Sequence, residues 1–308
     1  MRHLRSVPPP GQGIDAAAPL STSELSTLLE RTSRTFALTI PLLDEPLATD
    51  VGLAYLLFRI ADTLEDAPLW GRDVRMAALD SFGEWLVGED AERRWLQAIE
   101  KEPPTDDAGC LALLARAEGV RMSVAQRGED LALAMTMDVV RTSSKMAEFV
   151  ARQTDAGGLV LRDLPDLREY CYAVAGIVGE LLTEMFLKRD PSLEPERDAL
   201  MDLAPAFGEG LQLVNILKDA PSDAREGRMY LPPGVDRAEV MALARTDLAR
   251  AGDYVNVLKL AGASSHVRTF CELPLKLADA TLDRLEEGAT KLSRDEVMKI
   301  FAAVTAAS

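Results

Sequence analysis

Residues 46–67 read as a helix that is apolar on nearly every face and yet carries one polar stripe. Tyr55, Arg59, Asp62 and Asp66 follow at spacings of 4, 3 and 4, which puts them in a single line along a helix. Val51, Leu53, Ala54, Leu56, Leu57, Phe58, Ile60 and Leu64 fill the other faces. Such a helix belongs inside a helical protein, with its stripe turned toward an internal cavity. Glu65 joins Asp62 and Asp66 at i, i+3 and i+4, so the three carboxylates repel unless a cation or basic group sits between them. About 150 residues later the pattern returns: Gln212, Asn215 and Asp219 are spaced 3 and 4 among Leu211, Leu213, Val214, Ile216 and Leu217, and Asp223 follows one turn on. Two such clusters facing each other suit Mg²⁺ and a diphosphate. Pro221 should end or kink this second helix near Asp219, which leaves the orientation of Asp223 open.

An acidic triplet in a helix is more often a solvated face, and Asp and Glu number 50 in this chain of 308 residues. Either cluster alone therefore says little. The pair says more, because each lies in an apolar helix and each shares its stripe with Arg, Asn or Gln, the partners that buried carboxylates need.

Elsewhere apolar residues recur at helical spacing and alternating runs long enough for strands are missing, so the fold class is all-α. Helices are expected at about 22–41, 46–67, 72–87, 108–126, 129–153, 165–188, 195–220, 236–261, 264–289 and 293–305. Residues 1–20, rich in Pro and Gly, read as a disordered tail, and 21–308 as one large domain or two intimately packed ones. The stretch 221–235 follows the second cluster as a lid over a site would.

A hydrophobic content of 47% with 27% charged residues describes an ordinary globular chain. The net charge of −16 argues against nucleic acid as a partner and disfavours adsorption to anionic lipid. Cys110, Cys171 and Cys271 are far apart and odd in number, which suits reduced thiols and a cytoplasmic setting. With only His3 and His266, a His-based zinc site or a Ser-His-Asp triad is hard to build. No window is expected to reach the length of a membrane span, and neither a secretory signal nor a terminal anchor is expected.

The segments Ser33-Arg-Thr-Phe36, Tyr55-Leu-Leu-Phe-Arg-Ile-Ala-Asp-Thr-Leu-Glu-Asp66, Met146-Ala-Glu-Phe149, Tyr170-Cys-Tyr-Ala-Val-Ala-Gly-Ile-Val-Gly179 and 212–232 together resemble the squalene and phytoene synthases, which condense two allylic isoprenyl diphosphates. The order of these motifs along residues 25–290 is more specific than any one of them. Among family members the chain resembles the squalene synthases, because Asp-Thr-Leu-Glu-Asp looks more like their first motif than like that of phytoene synthases, and, with no terminal anchor expected, it resembles the soluble bacterial members. Lys145 in place of a Gly before Met146, and Ala220-Pro-Ser222 between the second pair of aspartates, depart from the pattern.

The resemblance implies a single-domain isoprenoid-synthase helical fold with a central apolar cavity and two Asp-rich helices facing across its mouth. It implies metal ligation by Asp62, Glu65, Asp66, Asn215, Asp219 and Asp223, with Mg²⁺ as the ion and Mn²⁺ able to replace it. Arg34, Arg59 and Arg228, with Lys218, would contact diphosphate oxygens, and Ser33 would add a hydroxyl. Phe36, Met146, Phe149, Val174 and Gln212 would line the substrate cavity, although core packing is the stronger reading of Met146 and Phe149. Tyr55 and Tyr170, with Arg59, would stand near the reacting carbons, and either tyrosine or the departing diphosphate would take the proton that closes a cyclopropane. Gly176 and Gly179 would permit either a helix break or close packing.

The reaction so implied joins two farnesyl diphosphates through presqualene diphosphate, and squalene then needs hydride from NADPH. Geranylgeranyl diphosphate as substrate, or a presqualene diphosphate or hydroxysqualene product without reduction, are the alternatives. A non-catalytic helical assembly protein is a different class, expected to have lost the aspartates that remain here. A water-insoluble product implies transient contact with a membrane surface. Oligomeric state is not legible.

Overall fold

The helix with the first acidic stripe, α3 (Leu47–Asp66), runs through the middle of the protein with most of its residues buried. The computed structural model describes residues 17–33, 35–90, 92–153, 159–225, 229–289 and 291–306. Around α3 stand α1 (Thr22–Thr32), α4 (Arg72–Leu86), α6 (Ala108–Leu114), α7 (Ala117–Ala125) and α8 (Glu129–Ala151). A long rod follows, built from α9 (Leu164–Cys171), a π-turn (Tyr172–Gly176) and α10 (Ile177–Arg189). It packs against α3 and α8 on one side and against α11 (Arg197–Arg225) on the other, so the two acidic helices flank it. Against α11 lie α12 (Arg237–Leu260) and α13 (Ser265–Glu286), with α14 (Arg294–Ala306) outermost. Among the described residues no strand forms, only an isolated parallel bridge between Val160 and Met229.

Local chemistry starts several of these helices. Ser21 and Glu24 form a capping box at α1, while Asp107, Asp163, Asp236 and Ser264 each accept a backbone N–H from the first turn of α6, α9, α12 and α13.

Four sequence expectations change. The helix expected over 22–41 breaks after α1, because Ser33 is extended and its hydroxyl accepts the Phe36 N–H at 2.9 Å, starting the short α2 (Phe36–Thr39). The helix expected over 108–126 is two, and α5 (Arg94–Lys101), which places Trp95 against Phe82 and Trp85, was not foreseen. The second acidic helix does not stop near Asp219. It continues past Pro221 to Arg225, and the Leu217 carbonyl that the proline leaves without its helical N–H accepts from Arg237 Nη2 of α12 at 3.0 Å.

Residues 18 and 20, expected within the tail, are held in place. Leu20 N–H donates to Ser123 Oγ at 2.7 Å and the Ala18 carbonyl accepts from Arg116 at 3.0 Å, which ties these residues to α7. The remainder, residues 1–16, lies outside the described residues. The rod Leu164–Arg189 is, by length and composition, apolar enough to cross a membrane, contrary to the sequence expectation, but 61% of its most apolar window is buried among other helices.

Candidate active site

The two acidic stripes meet. Asp62, Glu65 and Asp66 from α3 and Asn215, Asp219 and Asp223 from α11 face one another across a polar cavity of about 230 Å³. The continuation of α11 through Pro221 brings Asp223 to this wall, which answers the orientation left open by the sequence. Tyr170 and Tyr230 close one side. Arg59, Asp62, Val174, Gln212 and Asn215 also border a second cavity of about 430 Å³, which is apolar and runs inward past Phe36, Val178 and Leu211 to Phe207, Phe270 and Pro274. Ser33 and Tyr55 stand on its wall near the mouth.

Electrostatics follow from crowding negative charge inside the protein. Burial pushes the Asp62 carboxyl up to about 6, with Arg59 opposing and Asp66 adding, although the side chain itself opens onto both cavities. Burial, then Asp66 and Asp62, raise Glu65 well above the ordinary carboxylate range. Two groups oppose that rise. Arg75 lies behind Glu65, donating Nη1 to its backbone carbonyl at 3.0 Å, and Tyr170 hydrogen-bonds its carboxyl. Tyr170 is held far above its usual value by burial and by Glu65. Its ring stands edge-on to Phe149 and stacks on Tyr230, with centroids 5.1 and 5.2 Å apart. Tyr55 is raised by burial and donates to the Thr32 carbonyl at 3.0 Å. Arg59 reaches Asp62 at 3.8 Å and Cys110 Sγ at 3.6 Å.

Among the described residues no three His, Cys, Asp or Glu side chains converge tightly enough to cage a metal as they stand. The donors are all oxygens on opposed helices, and Asp62 and Glu65, raised first by burial and then by neighbouring carboxylates, would be relieved by a cation. This set fits Mg²⁺, which keeps much of its water and uses few carboxylates together with substrate phosphates.

Not every sequence candidate reaches the cavities. Met146 and Phe149 are 0% and 2% exposed and belong to the core, because their face of α8 meets other side chains rather than open space. Lys218 is turned to its own helix, donating to Asn215 Oδ1 at 2.9 Å and pairing with Asp219 at 3.3 Å, instead of lining either wall. Arg34 and Arg228 lie outside the described residues. Arg75 was missed, yet it had a signal: with Ala78, Leu79 and Phe82 it falls on the buried stripe of α4, where a lone arginine needs a partner. Tyr230, read as a cover only, is part of the acidic wall. The Met229 N–H bond to the Leu159 carbonyl at 2.9 Å anchors its strand-like segment there.

The fold and this pair of cavities define a helical protein of the isoprenoid-synthase type. Residues 29–235 match the squalene/phytoene synthase family, and the chain belongs to it. It is 32% identical to the chloroplastic phytoene synthase 1 of Arabidopsis thaliana over 143 residues, 46% of this chain and 31% of that protein. It is 26% identical to Botryococcus squalene synthase of Botryococcus braunii over 311 residues, 90% of this chain and 62% of that one. The chain thus spans less than two thirds of the length of these curated relatives. Its fold is similar to that of TcSQS solved with the ligand E5700, with a TM-score of 0.70 at 22% identity over 90% of this chain and 84% of that one.

Proposed function

We propose that this protein is an Mg²⁺-dependent prenyltransferase that joins two farnesyl diphosphates head to head through presqualene diphosphate, and that squalene is the product when NADPH supplies hydride. The observation that carries this reading is the joint between the two cavities. A polar chamber bounded by seven oxygen-bearing side chains from two helices opens directly onto an apolar chamber. An allylic diphosphate has the same two halves.

Asp62, Glu65, Asp66, Asn215, Asp219 and Asp223 would hold the metal, which when bound neutralises charge on the leaving diphosphate. Arg59, at the boundary of the chambers, is suited to a diphosphate oxygen and to holding Asp62 in place. Ser33 and Gln212 offer hydrogen bonds at the same level. Further in, Phe36, Val174 and the apolar wall keep water from an allylic cation until the second substrate's double bond captures it. Tyr55 and Tyr170 both stay protonated at neutral pH, given the direction of their shifts. They therefore act as hydrogen-bond donors that orient, and the departing diphosphate is the base for the cyclopropane proton.

The identity to a phytoene synthase supports a second reading, in which the substrate is geranylgeranyl diphosphate. Product analysis separates them: purified protein with Mg²⁺ is given each diphosphate, with and without NADPH. Squalene from the C15 substrate only with NADPH is the expected result. Presqualene diphosphate or a C30 alcohol regardless of NADPH would remove the reduction, phytoene from the C20 substrate would replace the substrate, and no product from either would sink the enzyme reading.

A further inference from the structure

The rod between the acidic helices is interrupted once, at the π-turn Tyr172–Gly176, where the Ile177 N–H reaches back five residues to the Tyr172 carbonyl. Such turns sit inside α-helices at a cost and recur at functional positions. Its effect here is on alignment. At 3.6 residues per turn, positions eight apart drift by about 80° around a helix, so Tyr170 and Val178 would not face the same way. One wider turn takes up that drift, and Tyr170 and Val174 do border the acidic chamber while Val174 and Val178 border the apolar one.

Three neighbours face the turn. Thr142 of α8, 0% exposed, donates Oγ1 to the Ala173 carbonyl at 3.0 Å. Arg141 donates to the Tyr172 hydroxyl at 2.8 Å and to Glu180 at 3.1 Å, and the Tyr172 hydroxyl donates to Glu180 at 3.0 Å, which ties the first residue of the turn to a point beyond its end. From the other side, Glu209 of α11 lies 3.4 Å from where a Cβ on Gly176 would stand. Of these three, Thr142 alone bonds the backbone of the turn.

We propose that Thr142 is a positioning residue: by holding the Ala173 carbonyl it keeps the π-turn formed, and so sets Tyr170 against Glu65 while Val174 and Val178 stay on the wall of the apolar chamber. Its catalytic consequence rests on the proposed condensation, whereas its structural half rests on the hydrogen bond alone. Thr142→Val keeps the shape and removes only the hydroxyl, and Thr142→Ser keeps the hydroxyl.

Two readouts decide. Hydrogen exchange of the peptide covering 170–180 in the full chain should be at least about 10-fold faster in T142V than in wild type. With Mg²⁺ and farnesyl diphosphate, condensed product should form about 10- to 100-fold more slowly, with KM little changed and with diphosphate released in excess of condensed product. T142S should restore both. Wild-type exchange in T142V overturns the proposal, and so does a wild-type rate and product ratio accompanied only by a lower Tm. If wild type itself condenses nothing, the reaction reading fails, and the exchange result still decides whether Thr142 holds the turn.

Discussion

Glu209 and Asp247 lie side by side, 6% and 1% exposed, with the guanidinium of Arg168 at 3.4 and 3.9 Å. Burial outweighs that guanidinium and pushes Glu209 from 4.5 up to about 7. A carboxyl with a raised folded pKa binds its proton more tightly when folded, so the stability it lends is full below about 4.5 and is lost as pH rises through about 7. Glu209→Gln should therefore flatten the fall of Tm between pH 5 and pH 8, and at pH 8 should melt above wild type. Parallel Tm curves for the two proteins would contradict this. At the same scale, Asp62, Asp66, Asn215 and Asp219 were legible because spacing alone puts them in line on a helix. Met146 and Phe149 were not, because periodicity marks an apolar face without saying whether that face meets a cavity or a neighbour. Tyr230 lies in a segment with no periodicity, so only its distance from the second cluster hinted at its place.

Close approach of two elements brings the cavity walls together. The rod crosses α11 where Gly179 faces the Ala204 carbonyl and Gly208 faces the Ala175 carbonyl, so closely that a Cβ at either glycine would overlap the facing oxygen. Both glycines also border the apolar chamber. Gly208→Ala must push the rod away from α11, which should cost about 1–3 kcal/mol of stability and appear as a lower denaturation midpoint. An unchanged midpoint would mean that the two elements are not held at that distance. Element boundaries were legible where a cap or a breaker sits in the sequence, as at Ser21, Asp107 and Asp163. They failed where a distant side chain decides: Arg237 satisfies the carbonyl that Pro221 orphans, and Thr142 holds a π-turn for which Gly176, read as permitting a helix break, was the local signal. α5 was missed because eight residues carry too little periodicity to register.

At the scale of the whole molecule, the two acidic helices come from distant parts of the chain and are separated by the rod, yet they bound one chamber. Burial beside neighbouring carboxyls makes that arrangement costly to leave without a counter-ion, and the raised carboxyls of Asp62 and Glu65 express the cost. The all-α class and the pairing of the stripes followed from sequence pattern, whereas the junction of polar and apolar chambers needed the packing of α3, α11 and the rod.

The most direct test is a Mn²⁺ titration followed by electron paramagnetic resonance, with inorganic diphosphate present, on wild type, Asp62→Asn and Asp219→Asn, each shown by circular dichroism to be folded. One joint site requires that diphosphate tighten Mn²⁺ binding in wild type. Either substitution, although on a different helix, should then weaken it by at least about 10-fold. Binding that diphosphate does not affect, or an Asp219→Asn protein that binds like wild type, would contradict a site shared by the two helices.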